Sequence, residues 1–107
     1  MSEDWINVAK INDIPPGNWC TVEIDDISVL VFNLNNEFFA IENVCTHDGG
    51  ELATGWLEGD EIVCPRHGAH FCVRTGAATQ PPAYEDTATF PTRILGDYVQ
   101  VRDARWD

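Results

Sequence analysis

Basic residues are scarce in this chain of 107 residues, which has six lysines and arginines against 18 aspartates and glutamates and a formal net charge of −12. A surface this acidic repels phosphates, so nucleic acid is excluded as an expected partner. The sequence also lacks an apolar run of membrane-spanning length, and its first residues, Met1 to Asp4, lack the basic start and apolar stretch of a signal peptide. We therefore expect a soluble cytoplasmic protein that makes no contact with a membrane.

Histidine and cysteine are also few, three and four residues respectively, yet four of these seven lie in two short stretches. The stretches are Cys45-Thr46-His47 and Cys64-Pro65-Arg66-His67. Each supplies one thiolate and one imidazole, which is the donor set of a Rieske-type [2Fe-2S] cluster. We predict that Cys45 and Cys64 hold one iron and that His47 and His67 hold the other.

The residues around these donors favour two tight loops. Residues i and i+2 of an extended segment point to the same side, so Cys45 and His47 can face one cluster. Pro65 fixes the backbone at the start of the second turn. Glycines follow each histidine and allow the backbone to approach the cluster closely: Gly49, Gly50 and Gly68. Their backbone N–H groups can donate hydrogen bonds to the sulfurs.

At this point the chain resembles the Rieske ferredoxins. The segments 45–50 (CTHDGG) and 64–71 (CPRHGAHF) match the two cluster-binding boxes of that family. The later segments 75–76 (TG) and 80–83 (QPPA) are similar to a turn and a proline-containing loop that cover the cluster. The resemblance spans nearly the whole chain and implies one [2Fe-2S] cluster, bound by Cys45, His47, Cys64 and His67.

Two departures from the high-potential members of the family are visible. Those members carry an extra cysteine in each loop, whereas this chain has Gly50 and Arg66, so we expect no disulfide between the loops. They also carry Ser and Tyr hydroxyls where this chain has Ala69 and Phe71. The loss of two hydrogen-bond donors to the sulfurs predicts a low reduction potential, toward about −150 mV.

The other candidate residues have ordinary explanations. Cys20 and Cys72 are predicted to be free, buried and inert thiols. His70 lies beside the second box, and we expect a surface or turn residue rather than a ligand. The four tryptophans, of which Trp106 is the last, are assigned to core and rim packing.

The pattern of the chain is β throughout, with no helical periodicity, repeat or linker. Strands are predicted at 5–8, 20–24, 27–32, 38–41, 56–57, 62–63, 71–73, 89–94 and 98–101. Turns are expected at 13–17, Asp25-Asp26 and Asn35-Asn36, and Pro91 indicates an edge strand. We predict a single all-β Rieske iron–sulfur domain over 1–107. The resemblance implies an antiparallel β-sandwich base with an inserted small cluster-binding subdomain at about 43–82.

These observations favour an electron carrier. The family resemblance implies a soluble ferredoxin that passes single electrons from a flavoprotein ferredoxin reductase to a terminal non-haem iron oxygenase. With four ligands on the cluster, only His70 remains for a second iron, so no catalytic residue is predicted and the chain is not expected to be an enzyme. The acidic surface suits a basic protein partner, although it also suits solubility alone.

Two other functions remain open from the sequence. One is a Rieske ferredoxin that serves another pathway, such as iron–sulfur assembly, or the small subunit of a reductase. The other is a zinc-stabilised β module that binds proteins and transfers no electrons, because zinc also uses Cys and His ligands.

Overall fold

The computed structural model describes residues 4–105. Its strands are β1 (Ile6–Lys10), β2 (Trp19–Ile24), β3 (Ile27–Leu34), β4 (Glu37–Glu42), β5 (Trp56–Glu58), β6 (Glu61–Val63), β7 (His70–Cys72), β8 (Ala78–Gln80), β9 (Thr89–Phe90), β10 (Thr92–Leu95) and β11 (Tyr98–Val101). They form three antiparallel sheets, ordered β1-β11-β10, β2-β3-β4-β9 and β5-β6-β7-β8. The predicted all-β, antiparallel fold is confirmed.

Both faces of strand β3 are covered by other parts of the fold. Successive side chains of a strand point to opposite faces. On one face, Val29 and Val31 pack in a core shared with β11, which joins the first two sheets as a sandwich. On the other face, Leu30 and Phe32 pack in a core shared with the third sheet and its loops. Burial on both sides explains why residues 29–32 of β3 are a continuous apolar run without alternation.

Two hairpins of the middle sheet close through left-handed turns. Asp25 and Asp26 have φ values of 47° and 68°, and Asn35 and Asn36 have φ values of 54° and 70°. Asn and Asp tolerate this region better than other non-glycine residues, and two consecutive positive φ values suit the twist of a two-residue hairpin. Both predicted turns are confirmed.

The predicted strand at 89–94 divides into two at Pro91. β9 pairs with β4 in the middle sheet, whereas β10 pairs with β11 in the first sheet. Pro91 has no N–H to donate, so it falls between two ladders rather than within one. Both β9 and β10 are edge strands, as Pro91 predicted.

Two smaller differences concern the N-terminal part of the chain. A 3-10 helix at Ile11–Asp13 precedes the turn predicted from Asp13, and β1 extends two residues beyond its predicted end. Trp106 and residues 1–3 lie outside the described residues, and so do the expectations placed on them. Within residues 4–105, no helix is long and apolar enough to cross a membrane.

Candidate metal centre

The first predicted ligand loop follows β4 and is a tight turn closed by two backbone hydrogen bonds. The Cys45 N–H donates to the Gly50 carbonyl over 2.8 Å, and the Gly49 N–H donates to the Cys45 carbonyl over 2.7 Å. Gly49 has a φ of +75°, which favours glycine. Burial raises the pKa of the Cys45 thiol, whereas the backbone N–H groups of Asp48 and His47 donate to its sulfur and oppose that rise.

The second loop joins β6 to β7 and has the same local structure. The Cys64 N–H donates to the Ala69 carbonyl over 2.8 Å, and the Gly68 N–H donates to the Cys64 carbonyl over 3.0 Å. Gly68 has a φ of +77°. The glycine that the sequence placed four residues after each cysteine is therefore the residue that lets each loop turn.

The four predicted ligands divide into a buried pair and an exposed pair. Cys45 and Cys64 have no exposed surface, and their sulfurs lie within 4.8 Å of one another. His47 and His67 are exposed, and their rings meet edge to face with centroids 5.1 Å apart. Two thiols on one side and two imidazoles on the other form the donor set that an asymmetric [2Fe-2S] cluster requires, so the residues fit this group.

A family model described as the Rieske [2Fe-2S] domain matches residues 4–91. The chain belongs to the Rieske [2Fe-2S] family. Its cofactor is therefore one Rieske-type [2Fe-2S] cluster and not zinc. The assignment of Cys45, His47, Cys64 and His67 as the ligands of this cluster stays a prediction.

Several relatives in this family are ferredoxins of dioxygenase systems. The chain is 40% identical over 98 residues to the biphenyl dioxygenase ferredoxin subunit of Pseudomonas sp. (strain KKS102), covering 91% of this chain and 90% of the relative. It is 36% identical over 94 residues to the ferredoxin component of the naphthalene 1,2-dioxygenase/salicylate 5-hydroxylase systems of Ralstonia sp., covering 88% and 90%.

A solved structure supports the same relationship. A complex of reduced oxygenase and oxidized ferredoxin in carbazole 1,9a-dioxygenase contains a chain that superimposes with a TM-score of 0.87 and 31% identity, covering 94% of both chains. The Rieske fold predicted from the sequence is thus confirmed.

An ion pair connects the two loops where the sequence predicted no disulfide. The four cysteines are free, and the Arg66 guanidinium pairs with the Asp48 carboxylate. The hydrogen bond from Arg66, together with the Gly50 N–H, holds the pKa of Asp48 well below its usual range. Asp48 and Arg66 both lie within the two boxes that resemble the family, but no feature of the sequence pairs them.

A third loop lies beside the first one. The Thr46 hydroxyl donates to the Glu85 carbonyl over 2.6 Å, which fixes the segment around Glu85 next to the first ligand loop. Ala83 is buried in the core that contains Cys45. Tyr84, between these two anchored residues, is 82% exposed. Sequence reasoning noted the prolines of this loop and missed its exposed tyrosine.

His70 and the two remaining cysteines differ from their predicted settings. His70 lies on β7 rather than in a turn, its side chain is only 12% exposed, and its Nδ1 lies 2.9 Å from a Glu61 carboxylate oxygen. The contact with His70 lowers the pKa of Glu61. Cys20 and Cys72 are free as predicted but half-buried rather than buried, and burial raises the pKa of the Cys20 thiol.

Proposed function

We propose that this chain is the ferredoxin of a multicomponent non-haem iron oxygenase, passing single electrons from a flavoprotein reductase to the terminal oxygenase. The observation that carries the proposal is the pair of exposed imidazoles, His47 and His67, in front of the buried thiols of Cys45 and Cys64. Imidazoles at the surface give a docked partner a short path to the redox centre. The dioxygenase ferredoxins among the relatives support this assignment.

Each part of the site has a distinct task in this proposal. Cys45 and Cys64 would hold one iron and His47 and His67 the other. When bound, the [2Fe-2S] cluster supplies a centre that accepts and releases one electron. The backbone N–H groups directed at the Cys45 sulfur stabilise its negative charge, and the surrounding apolar core excludes water from the thiol side. We propose that residues from about 43 to 82 act as the cluster-binding subdomain.

The charge of this part of the chain suits short-lived protein complexes. Between residues 43 and 86, seven carboxylates are accompanied by only two arginines, Arg66 and Arg74. A basic patch on the reductase and on the oxygenase would speed encounter with this surface.

The chain itself transforms no substrate. The reductase as partner and the cytoplasmic location stay predictions.

Reconstitution tests the proposal directly. The protein carrying its [2Fe-2S] cluster is mixed with a flavoprotein reductase and a terminal oxygenase from a biphenyl dioxygenase system. Product formation is measured with each component omitted in turn. We expect formation to require all three components. A Cys45→Ser variant is the control and should support none. Loaded protein that dithionite reduces, but that neither accepts electrons from the reductase nor passes them to the oxygenase, would contradict the proposal.

A further inference from the structure

Asp48 and Arg66 make a multidentate contact between the two predicted ligand loops. The Arg66 Nε donates to one carboxylate oxygen of Asp48 over 2.6 Å, and its Nη2 lies 3.3 Å from the other. The same Nη2 donates to the Glu51 carbonyl over 2.9 Å, and the Gly50 N–H donates to Asp48 over 2.8 Å. A single side chain of the second loop therefore binds the first loop at two positions, the Asp48 carboxylate and the Glu51 carbonyl.

Gly50 makes room for this contact. A Cβ on Gly50 would lie 2.6 Å from the central carbon of the Arg66 guanidinium, which is closer than real Cβ atoms approach. Gly50 does not have the positive φ of Gly49, so turn geometry does not explain the glycine here. The guanidinium therefore occupies the space that a side chain at position 50 would need.

The two charges of this pair lie beside the predicted ligands. A carboxylate oxygen of Asp48 is within 4.8 Å of the sulfurs of Cys45 and Cys64 and 3.9 Å from the Nε2 of His67. The guanidinium of Arg66 is close enough to both thiols to interact with them electrostatically. An unpaired charge at this distance changes the energy of adding an electron, whereas a close pair of opposite charges largely cancels.

We propose that Asp48 and Arg66 are positioning residues that form a charge-neutral clamp. The clamp holds the two ligand loops together, and because its two charges cancel, the pair has little net effect on the reduction potential of the site. The inference deepens the proposed function and rests on the ligand set given there. The clamp predicts two separable effects: release of the cluster depends on the contact, and the midpoint potential depends on the balance of the two charges.

Four proteins separate these effects: wild type, Asp48→Asn, Arg66→Gln and the double variant. Loss of the cluster is monitored as bleaching of the protein in the presence of an iron chelator. The midpoint potential is measured by redox titration. We expect all three variants to lose the cluster a few-fold faster than wild type. The double variant should be no faster than the single ones, because each change removes the same contact.

The midpoint potentials of the two single variants should move in opposite directions from that of wild type. Arg66→Gln leaves a bare carboxylate that opposes the added electron and lowers the midpoint. Asp48→Asn leaves a bare guanidinium that favours the added electron and raises it. The double variant should return close to wild type. Loosening of the loops alone would move both single variants in the same direction and would not be reversed in the double variant, so that pattern would overturn the proposal.

Two further variants complete the test. Gly50→Ala keeps both charges but displaces the guanidinium, so we expect faster release with a midpoint near wild type. Release at the wild-type rate would contradict the clamp.

Lys10→Gln removes one positive charge from β1, in a sheet without predicted ligands. It should change neither the rate of cluster release nor the midpoint potential. A wild-type protein without a [2Fe-2S] cluster would instead refute the proposed function.

Discussion

The side-chain oxygen of Asn43 accepts a hydrogen bond from the backbone N–H of Leu52 over 2.8 Å. The same oxygen accepts from the Ala53 N–H over 3.0 Å, and the Asn43 amide donates to the Ser28 hydroxyl over 3.2 Å. Asn43 is buried at 7% exposure and thus connects β3 of the base to the far end of the first ligand loop. A second connection runs from the Trp19 indole N–H to the Ala53 carbonyl.

Replacing Asn43 with alanine should therefore destabilise the protein and loosen the first loop. The change leaves the buried N–H of Leu52 without its acceptor, which costs about 1 to 3 kcal/mol. Unfolding by urea and release of the cluster into a chelator measure the two effects. Ser28→Ala is the matched control, since it removes only the hydroxyl end of the network. Equal effects of the two substitutions would show that Asn43 does not support the loop.

The pair Ala69 and Phe71 should set a low reduction potential. Both side chains are fully buried in the core that contains Cys45 and Cys64. Neither has a hydroxyl to donate to a sulfur, so the reduced state is less stabilised and the midpoint should lie toward about −150 mV. Ala69→Ser combined with Phe71→Tyr should raise the midpoint. An unchanged midpoint potential would contradict this explanation. The control is a variant that combines Ala78→Ser with Phe39→Tyr.

Tyr84 should contribute to docking of the oxygenase. Its ring is 82% exposed, and its neighbour Glu85 is hydrogen-bonded to Thr46 beside the predicted ligands. Exposed aromatic residues with a fixed backbone are frequent anchors of interfaces. Tyr84→Ala should raise the ferredoxin concentration needed for half-maximal oxygenase turnover several-fold, without a change in midpoint. Tyr98, 39% exposed on β11, provides the control, and equal effects of Tyr98→Ala and Tyr84→Ala would contradict the docking role.

Asp103 should make part of the stability depend on pH. Its side chain is 2% exposed and accepts hydrogen bonds from the Nε and Nη2 of Arg105 over 2.9 and 2.8 Å. These contacts hold the pKa of Asp103 well below its usual range. A lowered folded-state pKa stabilises the protein above the unfolded-state value, near 4, and this stabilisation is lost as the pH falls through the folded-state pKa.

Urea unfolding at pH 7 and pH 3 measures this contribution. Asp103→Asn should lower the free energy of unfolding at pH 7 by about 1.5 to 3 kcal/mol, the range for hydrogen bonds to charged groups. Its stability should then fall less than that of wild type on acidification. Parallel pH profiles of the two proteins would be inconsistent with this role of Asp103.

The features predicted from the sequence are those whose causes are local. Each predicted cysteine and histidine pair lies within four residues, and the left-handed turns at Asp25-Asp26 and Asn35-Asn36 follow from two adjacent side chains. The family resemblance then supplied the fold and the cofactor. Pro91 predicted an edge, but its neighbours join different sheets, and that choice depends on strands far away in the sequence.

The missed features depend on contacts across the fold. Asp48 and Arg66 are 18 residues apart and pair only because two loops with the same turn face each other. Asn43 binds residues nine and ten positions ahead and Ser28 fifteen positions behind. The setting of His70 depends on Glu61, which lies on the neighbouring strand and contacts the imidazole.

We propose above all that Cys45, His47, Cys64 and His67 bind one Rieske-type cluster. The most direct measurement is an electron paramagnetic resonance spectrum of the purified protein before and after dithionite, with the optical spectrum alongside. We expect a brown protein that bleaches on reduction and gives a rhombic signal with an average g below the free-electron value. Cys45→Ser should abolish the signal, whereas Cys20→Ser should retain it. A colourless wild-type protein without this signal and with stoichiometric zinc would show that these four residues do not bind a [2Fe-2S] cluster.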